Sequence, residues 1–128
     1  MPCNADFGII DNFDKRKTYS EFEHPVDFND VLKSYRCISI DHDTLCLWSD
    51  NMAHIKTYNC CCDNEATGLN MYGVTLIPPE SLKQIIQIAM NYINSAANED
   101  YQDTETVGVV DVLKEAMKEN KWAIHFGV

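Results

Sequence analysis

The fold of this chain is decided by the stretch Gly68-Leu-Asn-Met-Tyr-Gly-Val-Thr-Leu-Ile-Pro-Pro-Glu-Ser81. Its apolar part predicts a β-strand over residues 71–77, which must end by Pro78 because proline cannot donate to a sheet ladder. Pro79 has its φ fixed near the helical value, which suits the first position of a helix. Glu80 then lies where the helix dipole favours a negative charge. The stretch therefore predicts a strand that turns directly into a helix, and it holds no nucleophile–base pair, phosphate loop or metal-ligand spacing.

The segments on either side predict one α+β (or α/β) domain that spans residues 1–128, with a small sheet of about four to five strands and helices packed on it. Strands are predicted at 7–10, 36–40, 55–60, 71–77 and 122–128. Helices are predicted at 32–35, 43–53, 79–97 and from Thr104 or Thr106 to Asn120. The last helix is expected to bury Val109, Val110, Leu113 and Met117.

The segment 36–55 allows two structures. In a hairpin, His42-Asp43 forms the turn between two strands. In a helix, Asp41 or Asp43 is the N-cap and an apolar stripe faces the core, formed by Leu45, Trp48, Met52 and Ile55. The helix is favoured because the His-Asp turn lacks the glycine that tolerates positive φ.

Three segments are predicted to have no regular structure. Residues 11–30 are expected to form an ordered loop that is anchored by its aromatic side chains Phe13, Tyr19, Phe22 and Phe28. Residues 61–67 form a second loop, and 94–103 form an acidic surface linker.

The chain carries 20 acidic and 10 basic residues, a formal net charge of -10. Such a surface repels nucleic-acid phosphates and anionic membranes, whereas it attracts a basic protein partner. The residues predicted to bind that partner are Asp41, Asp43, Asp50, Glu99, Asp100, Asp103 and Glu105. The alternative is an ordinary solvated surface. No calcium loop is predicted, because Asp41-x-Asp43 lacks the glycine and the distal glutamate of that motif.

The beginning of the chain, Met-Pro-Cys-Asn-Ala-Asp-Phe-Gly-Ile-Ile, has neither the basic segment nor the long apolar segment of a signal peptide. No stretch approaches the roughly 18 apolar residues that span a bilayer. We therefore expect a cytoplasmic protein, in which the six cysteines are thiols.

The run Cys60-Cys61-Cys62 is the basis of one alternative function, a metal-binding module. Cys37, Cys46, His42 and His54 are near it in sequence. Three adjacent cysteines point in different directions, however, and the chain has no pair of Cys-x-x-Cys motifs. The sequence thus predicts no metal ligands and no cofactor.

A second alternative is a small hydrolase or transferase that uses His125 or a cysteine. The carboxylates Asp63 and Glu65 argue against a thiolate at Cys60-Cys61-Cys62, because negative charge raises a thiol pKa. His125 lies between Ile124 and Phe126 in the last predicted strand. A histidine there is either a general base at a cleft or a polar residue beside a sheet face.

Four segments of the chain resemble, in order, a set of small uncharacterised bacterial cytosolic proteins: residues 8–14, 37–41, 68–81 and 122–127. The block Tyr72 to Ser81 is the most specific part of this resemblance. Such acidic proteins are in turn similar to the immunity proteins of bacterial polymorphic toxin systems. The resemblance implies no catalytic residues, and the triple cysteine departs from its pattern. We therefore expect a non-enzymatic protein, an immunity protein whose acidic face neutralises a basic toxin.

Overall fold

The protein is described by a computed structural model over residues 4–19, 35–95 and 104–127. Six strands of this part form one antiparallel sheet in the order β2–β1–β6–β5–β3–β4. The strands are β1 (Asn4–Ile10), β2 (Ile38–Asp41), β3 (Lys56–Asn59), β4 (Glu65–Thr67), β5 (Val74–Ile77) and β6 (Trp122–Phe126). The helices are α1 (His42–Ser49), α2 (Pro79–Ser95) and α3 (Thr104–Lys118), and a 3-10 turn at Asp50–Met52 extends α1. The α+β class is confirmed, with six strands where four to five were expected.

The strand-to-helix junction is as predicted. All residues of β5 are buried, and α2 begins at Pro79. The Ser81 hydroxyl donates to the Lys56 carbonyl at 2.7 Å and so ties the start of α2 to β3. The strand begins at Val74 and not at Met71, because the preceding residues form a turn in which the Tyr72 amide donates to the Asn70 side chain at 3.1 Å.

The main core lies between one face of the sheet and the helices. Its centre is made of side chains that are almost completely shielded from solvent, among them Phe7, Ile9, Leu45, Trp48, Ile77, Leu82, Ile85, Val109, Leu113 and Ala123. Burial of each large apolar side chain contributes about 1.5–3 kcal/mol. The helices are therefore fixed on the sheet by a continuous apolar layer.

The other face of the sheet is covered by the loop that follows β1. The Phe13 ring stacks on Trp122 with 3.9 Å between ring centroids, and the Tyr19 amide donates to the Cys60 carbonyl at 2.7 Å. This confirms the predicted anchoring of the loop by Phe13 and Tyr19. Phe22 and Phe28 lie outside the described residues.

The helix, and not the hairpin, follows β2. Asp41 is the N-cap of α1, since its carboxylate accepts hydrogen bonds from the amides of Asp43 at 3.1 Å and Thr44 at 3.4 Å. The predicted stripe of Leu45, Trp48, Met52 and Ile55 is buried. The α-helix ends at Ser49, earlier than the predicted residue 53, because the chain tightens into the 3-10 turn.

Two details of the predicted elements are wrong. The predicted loop 61–67 contains β4, in which Glu65 pairs with Tyr58. Met117 is 42% exposed, and Ala116 is buried in its place. Asn120 does end α3 in the left-handed conformation, with φ of 56°. Most of the predicted helix 32–35 and of the linker 94–103 lies outside the described residues, and Tyr35 itself is in a turn.

Candidate functional site

The outer side of α1 combines negative charge with exposed apolar surface. Asp43, Cys46, Leu47 and Asp50 are all exposed and have the i, i+3, i+4, i+7 spacing of one helix face. Tyr72, in the turn before β5, lies beside them. Leu47 is 65% exposed and Tyr72 is 82% exposed. We call these five residues the α1 face.

Two cavities adjoin the exposed side of α1. The first has a volume of about 310 Å³ and is lined by residues of α1 and of the turn that contains Tyr72, including His42, Cys46, Asp50, Gly68, Met71 and Tyr72. The second has a volume of about 330 Å³ and lies between α1 and α2, with Leu47, Asn51, Ile88, Asn91, Tyr92 and Ser95 in its wall. The exposed side of α1 is therefore flanked by two concave surfaces that side chains of another protein can enter.

Contacts with α3 hold α1 in place. The Asp41 amide donates to the Glu105 carboxylate at 2.8 Å, and the buried Trp48 indole donates to the Thr106 hydroxyl at 3.3 Å. Both bonds join α1, or the residue that caps it, to the first turn of α3. The exposed residues of α1 are thus presented on a rigid support.

The turn that carries Tyr72 is fixed by backbone contacts. Gly68 has a φ of 68°, a conformation that L side chains rarely adopt. Its amide donates to the Ile55 carbonyl at 2.9 Å, and its carbonyl accepts from the Thr57 hydroxyl at 2.7 Å. At the other end of the turn, the Gly127 amide donates to the Gly73 carbonyl at 2.7 Å. Tyr72 is exposed at the tip of a well-connected turn.

Within the part of the chain that the structure describes, ion-paired charges and unpaired acidic residues lie near opposite ends of β1. At the Ile10 end, Asp11 pairs with Arg36 and with Lys121, each at 2.7 Å. At the opposite end, Asn4 pairs with Asp41, where α1 begins. Among the described residues, the carboxylates of Asp43 and Asp50 make no ion pair and no hydrogen bond. The α1 face is therefore negative without local compensation.

The acidic residues predicted to bind a partner fall into three groups. Asp43 and Asp50 lie on the α1 face. Asp41 and Glu105 are brought together beside it, but their carboxylates accept hydrogen bonds from backbone amides of this chain. Glu99, Asp100 and Asp103 lie outside the described residues.

The sequence does not single out Leu47. Tyr72 is among the aromatic residues that the sequence offers as interface anchors beside the acidic residues, with core packing as its alternative. The helical pattern does indicate that Leu47 is exposed, because Leu47 falls outside the buried stripe that begins at Leu45. Tyr72 falls inside the predicted strand 71–77, and its side chain is exposed because the strand begins at Val74.

His125 is not positioned as a general base. Its side chain is completely buried, 4.9 Å from the Phe7 ring between centroids, and its Nδ1 lies 3.4 Å from the Thr75 hydroxyl. Burial, with a smaller contribution from His42, lowers the pKa of His125 to about 3. The imidazole is therefore neutral at physiological pH, and solvent does not reach it.

Three of the cysteines, Cys37, Cys46 and Cys62, are not activated as nucleophiles. Burial, assisted by Asp6, raises the pKa of Cys37 to about 12. Burial and the charges of Asp43 and Asp50 raise the pKa of Cys46. Burial also raises the pKa of Cys62. A raised pKa keeps these thiols protonated, which opposes nucleophilic catalysis.

Within residues 4–19, 35–95 and 104–127, no three side chains of His, Cys, Asp or Glu are grouped so that they could hold a metal ion. Cys60 has a φ of 64°, and its sulfur lies 3.9 Å from the Val74 carbonyl oxygen. The metal-binding alternative for Cys60-Cys61-Cys62 thus gains no support from these residues.

Comparison of the chain with models of known protein families, with curated proteins and with solved structures found no match. Among the described residues, no helix is long and apolar enough to cross a membrane.

Proposed function

We propose that this is a non-enzymatic binding protein that holds a basic protein partner against the α1 face. The observation that supports this most strongly is the exposure of Leu47 and Tyr72 beside two unpaired carboxylates, Asp43 and Asp50. Aromatic and apolar anchors carry much of the energy of protein–protein interfaces, and charges around them set specificity and association rate.

The two cavities give the partner somewhere to place its own side chains. Side chains of the partner that enter them would desolvate Leu47 from one side and Tyr72 from the other. Full burial of a leucine side chain contributes about 1.5–3 kcal/mol. Basic residues of the partner would meet Asp43 and Asp50 at opposite ends of the same helix face. The net charge of -10 would accelerate the encounter at low ionic strength.

The biological role that we propose for this binding is immunity to a basic bacterial toxin. The resemblance of the chain to small bacterial cytosolic proteins supports it, together with the acidic charge, the raised pKa values of Cys37 and Cys46 and the burial of His125. The mechanism is occlusion, since an acidic face that covers a cationic active site or nucleic-acid groove prevents the toxin from reaching its substrate.

Affinity capture from the native host tests the binding proposal. Three baits are compared over a series of salt concentrations: the wild type, the double variant Leu47→Ala/Tyr72→Ala, and the control Val107→Ala/Met117→Ala. The control removes exposed apolar side chains from α3. We expect the wild type and the control to retain the same basic protein, the double variant to lose it, and added salt to weaken its retention.

The contribution of the acidic residues to partner binding is tested with a second matched pair of variants. Asp43→Asn/Asp50→Asn removes two charges from the α1 face, whereas Asp63→Asn/Asp111→Asn removes two exposed charges elsewhere. We expect the first variant to bind the partner more weakly and with a smaller salt dependence. Equal loss of binding in both variants would mean that net charge, and not the α1 face, attracts the partner.

The immunity role has its own test. The captured protein is expressed with and without this chain in the same cells. We expect growth to stop without the chain and to continue with it, and the Leu47→Ala/Tyr72→Ala variant to protect poorly. A captured partner that is harmless in the absence of this chain would exclude immunity but not binding.

A further inference from the structure

His42 and Cys46 form a pair of soft ligands at the first cavity. They are one helical turn apart on α1, and both side chains line the cavity of about 310 Å³. The Nε2 atom of His42 lies 3.5 Å from the Sγ atom of Cys46. Cys46 is exposed, so an ion that enters the cavity from solvent reaches both atoms.

The separation of the two atoms suits ligands of one metal ion. A nitrogen about 2.0 Å and a sulfur about 2.3 Å from a metal lie roughly 3.5 Å apart when the angle between them is near tetrahedral. The pair therefore needs little rearrangement to hold an ion.

A third residue with a soft side chain lines the same cavity. Met71, in the turn that also carries Tyr72, contributes to the cavity wall. Imidazole, thiolate and thioether together are a ligand set that selects Cu(I) among the common cellular metals. The turn is held by backbone bonds at Gly68 and Gly73, which places Met71 opposite α1 in a defined position.

The negative charge around the first cavity favours the binding of a cation. Asp50 lines the cavity, and Asp43 lies on the same helix face as Cys46. Among the described residues, neither carboxylate has a basic partner. A positive ion beside Cys46 would thus neutralise part of an uncompensated negative region.

We propose that His42, Cys46 and Met71 bind one Cu(I) ion. Zn(II) is a poorer fit, because structural zinc sites have four N, S or O ligands and no three His, Cys, Asp or Glu side chains of the described residues are grouped closely enough to hold a metal ion. Binding replaces the thiol proton of Cys46 by the metal and releases that proton to solvent. The metal keeps its oxidation state, so no oxidant or reductant is involved. The site shares Cys46 and the first cavity with the surface proposed for the partner, but the proposal does not depend on partner binding, and its test uses the protein alone.

The test is a Cu(I) titration without oxygen, in competition with the chromophoric chelator bathocuproine disulfonate. It is made on the wild type, on Cys46→Ser and on the control Cys61→Ser. The control removes a different cysteine, so it measures binding by thiols outside the cavity. We expect Cys46→Ser to weaken the tightest site by more than about 100-fold, beyond the 10–100-fold that loss of a second-shell partner costs. We expect Cys61→Ser to behave as the wild type.

Two further variants define the other ligands. His42→Gln and Met71→Leu should each weaken Cu(I) binding by at least about 10-fold, with far-UV circular dichroism unchanged. X-ray absorption of the Cu(I) protein should show nitrogen and sulfur neighbours together. Unchanged Cu(I) affinity in Cys46→Ser would overturn the site, as would stronger binding of Zn(II) than of Cu(I). Unchanged affinity in His42→Gln or Met71→Leu would overturn the proposed ligand set.

Discussion

His125 lies in the core with its imidazole between Phe7 and Thr75, and this position decides its chemistry. Sequence alternation placed it correctly on the sheet face opposite to Ile124 and Phe126. The pattern did not show that this face is covered by helices, because coverage depends on residues distant in the chain. Its full burial makes His125 a structural residue whose protonation opposes folding.

The depressed pKa of His125 makes stability dependent on pH. The unfolded chain takes up a proton near pH 6.5, whereas the folded protein does so only near pH 3. Stability from this residue is thus complete above pH 6.5 and is lost as the pH falls toward 3, by about 1.4 kcal/mol for each pH unit. Urea unfolding at pH 7 and pH 5 should show this loss in the wild type and a smaller loss in His125→Gln. His54→Gln, which changes an exposed histidine, should keep the wild-type dependence; equal slopes in all three proteins would contradict the assignment.

The exposed anchors should contribute little to folding. Leu47→Ala and Tyr72→Ala should each change the free energy of unfolding by less than about 0.5 kcal/mol, because their side chains are mostly in solvent. Leu45→Ala, two residues away and fully buried, should cost about 2–5 kcal/mol. Urea denaturation of the three variants measures these changes in the free energy of unfolding. A large loss in Leu47→Ala or Tyr72→Ala would show that these residues serve the fold and not a partner.

At the scale of elements, the sequence predicts those helix and strand boundaries that depend on residues close to them in the chain. The prolines after β5 end the strand because they have no amide to donate, and the Asp41 carboxylate begins α1 by accepting from two nearby backbone amides. The start of α2 and the existence of α1 are therefore predictable from the sequence. β4 was missed because three mostly exposed residues carry no strand pattern of their own. β4 forms because its backbone pairs with that of β3, and this pairing depends on the tertiary structure and not on the sequence of β4 itself.

The N-cap of α1 can be tested directly. Asp41→Ala removes the acceptor for the amides of Asp43 and Thr44 and should destabilise the protein by about 1 kcal/mol. Asp43→Ala is the control, since its exposed side chain makes no hydrogen bond within the described residues. Thermal and urea unfolding of both variants compare the two losses. Equal stability of Asp41→Ala and the wild type would mean that α1 is held by its packing alone.

The turn that carries Tyr72 depends on the close approach of the Gly127 backbone to the Met71 carbonyl group. A Cβ at Gly127 would lie 2.5 Å from the Met71 carbonyl oxygen, which is backbone and cannot rotate away. Gly127→Ala should therefore cost about 1–3 kcal/mol and displace the turn. At Gly108 the added Cβ meets the end of the flexible Ile38 side chain, and helix propensity favours alanine by about 1 kcal/mol. Gly108→Ala should therefore be the milder change in urea unfolding; the reverse order would contradict this packing.

At the scale of the whole molecule, the distribution of charge matters more than its sum. The net charge of -10 is visible in the sequence and predicts a basic partner, but it does not say where the partner binds. Arg36 and Lys121 pair with acids at one end of β1, whereas Asp43 and Asp50 on the α1 face have no ion-pair partner within residues 4–19, 35–95 and 104–127. This separation arises from strand pairing between distant segments. The sequence therefore indicates the acidic residues and offers Tyr72 as a candidate anchor, but it does not show the two cavities or the exposure of Leu47.

Photo-crosslinking in the native host tests the central claim most directly. A photoreactive benzophenone side chain is placed at position 47 on the α1 face, and at the exposed position 83 of α2 as the control. We predict that position 47 crosslinks to one basic protein and that position 83 does not, with the crosslink reduced when Asp43 and Asp50 are both changed to Asn. Crosslinking of the same protein from both positions, or of no basic protein from position 47, would contradict the assignment of the α1 face as the binding surface.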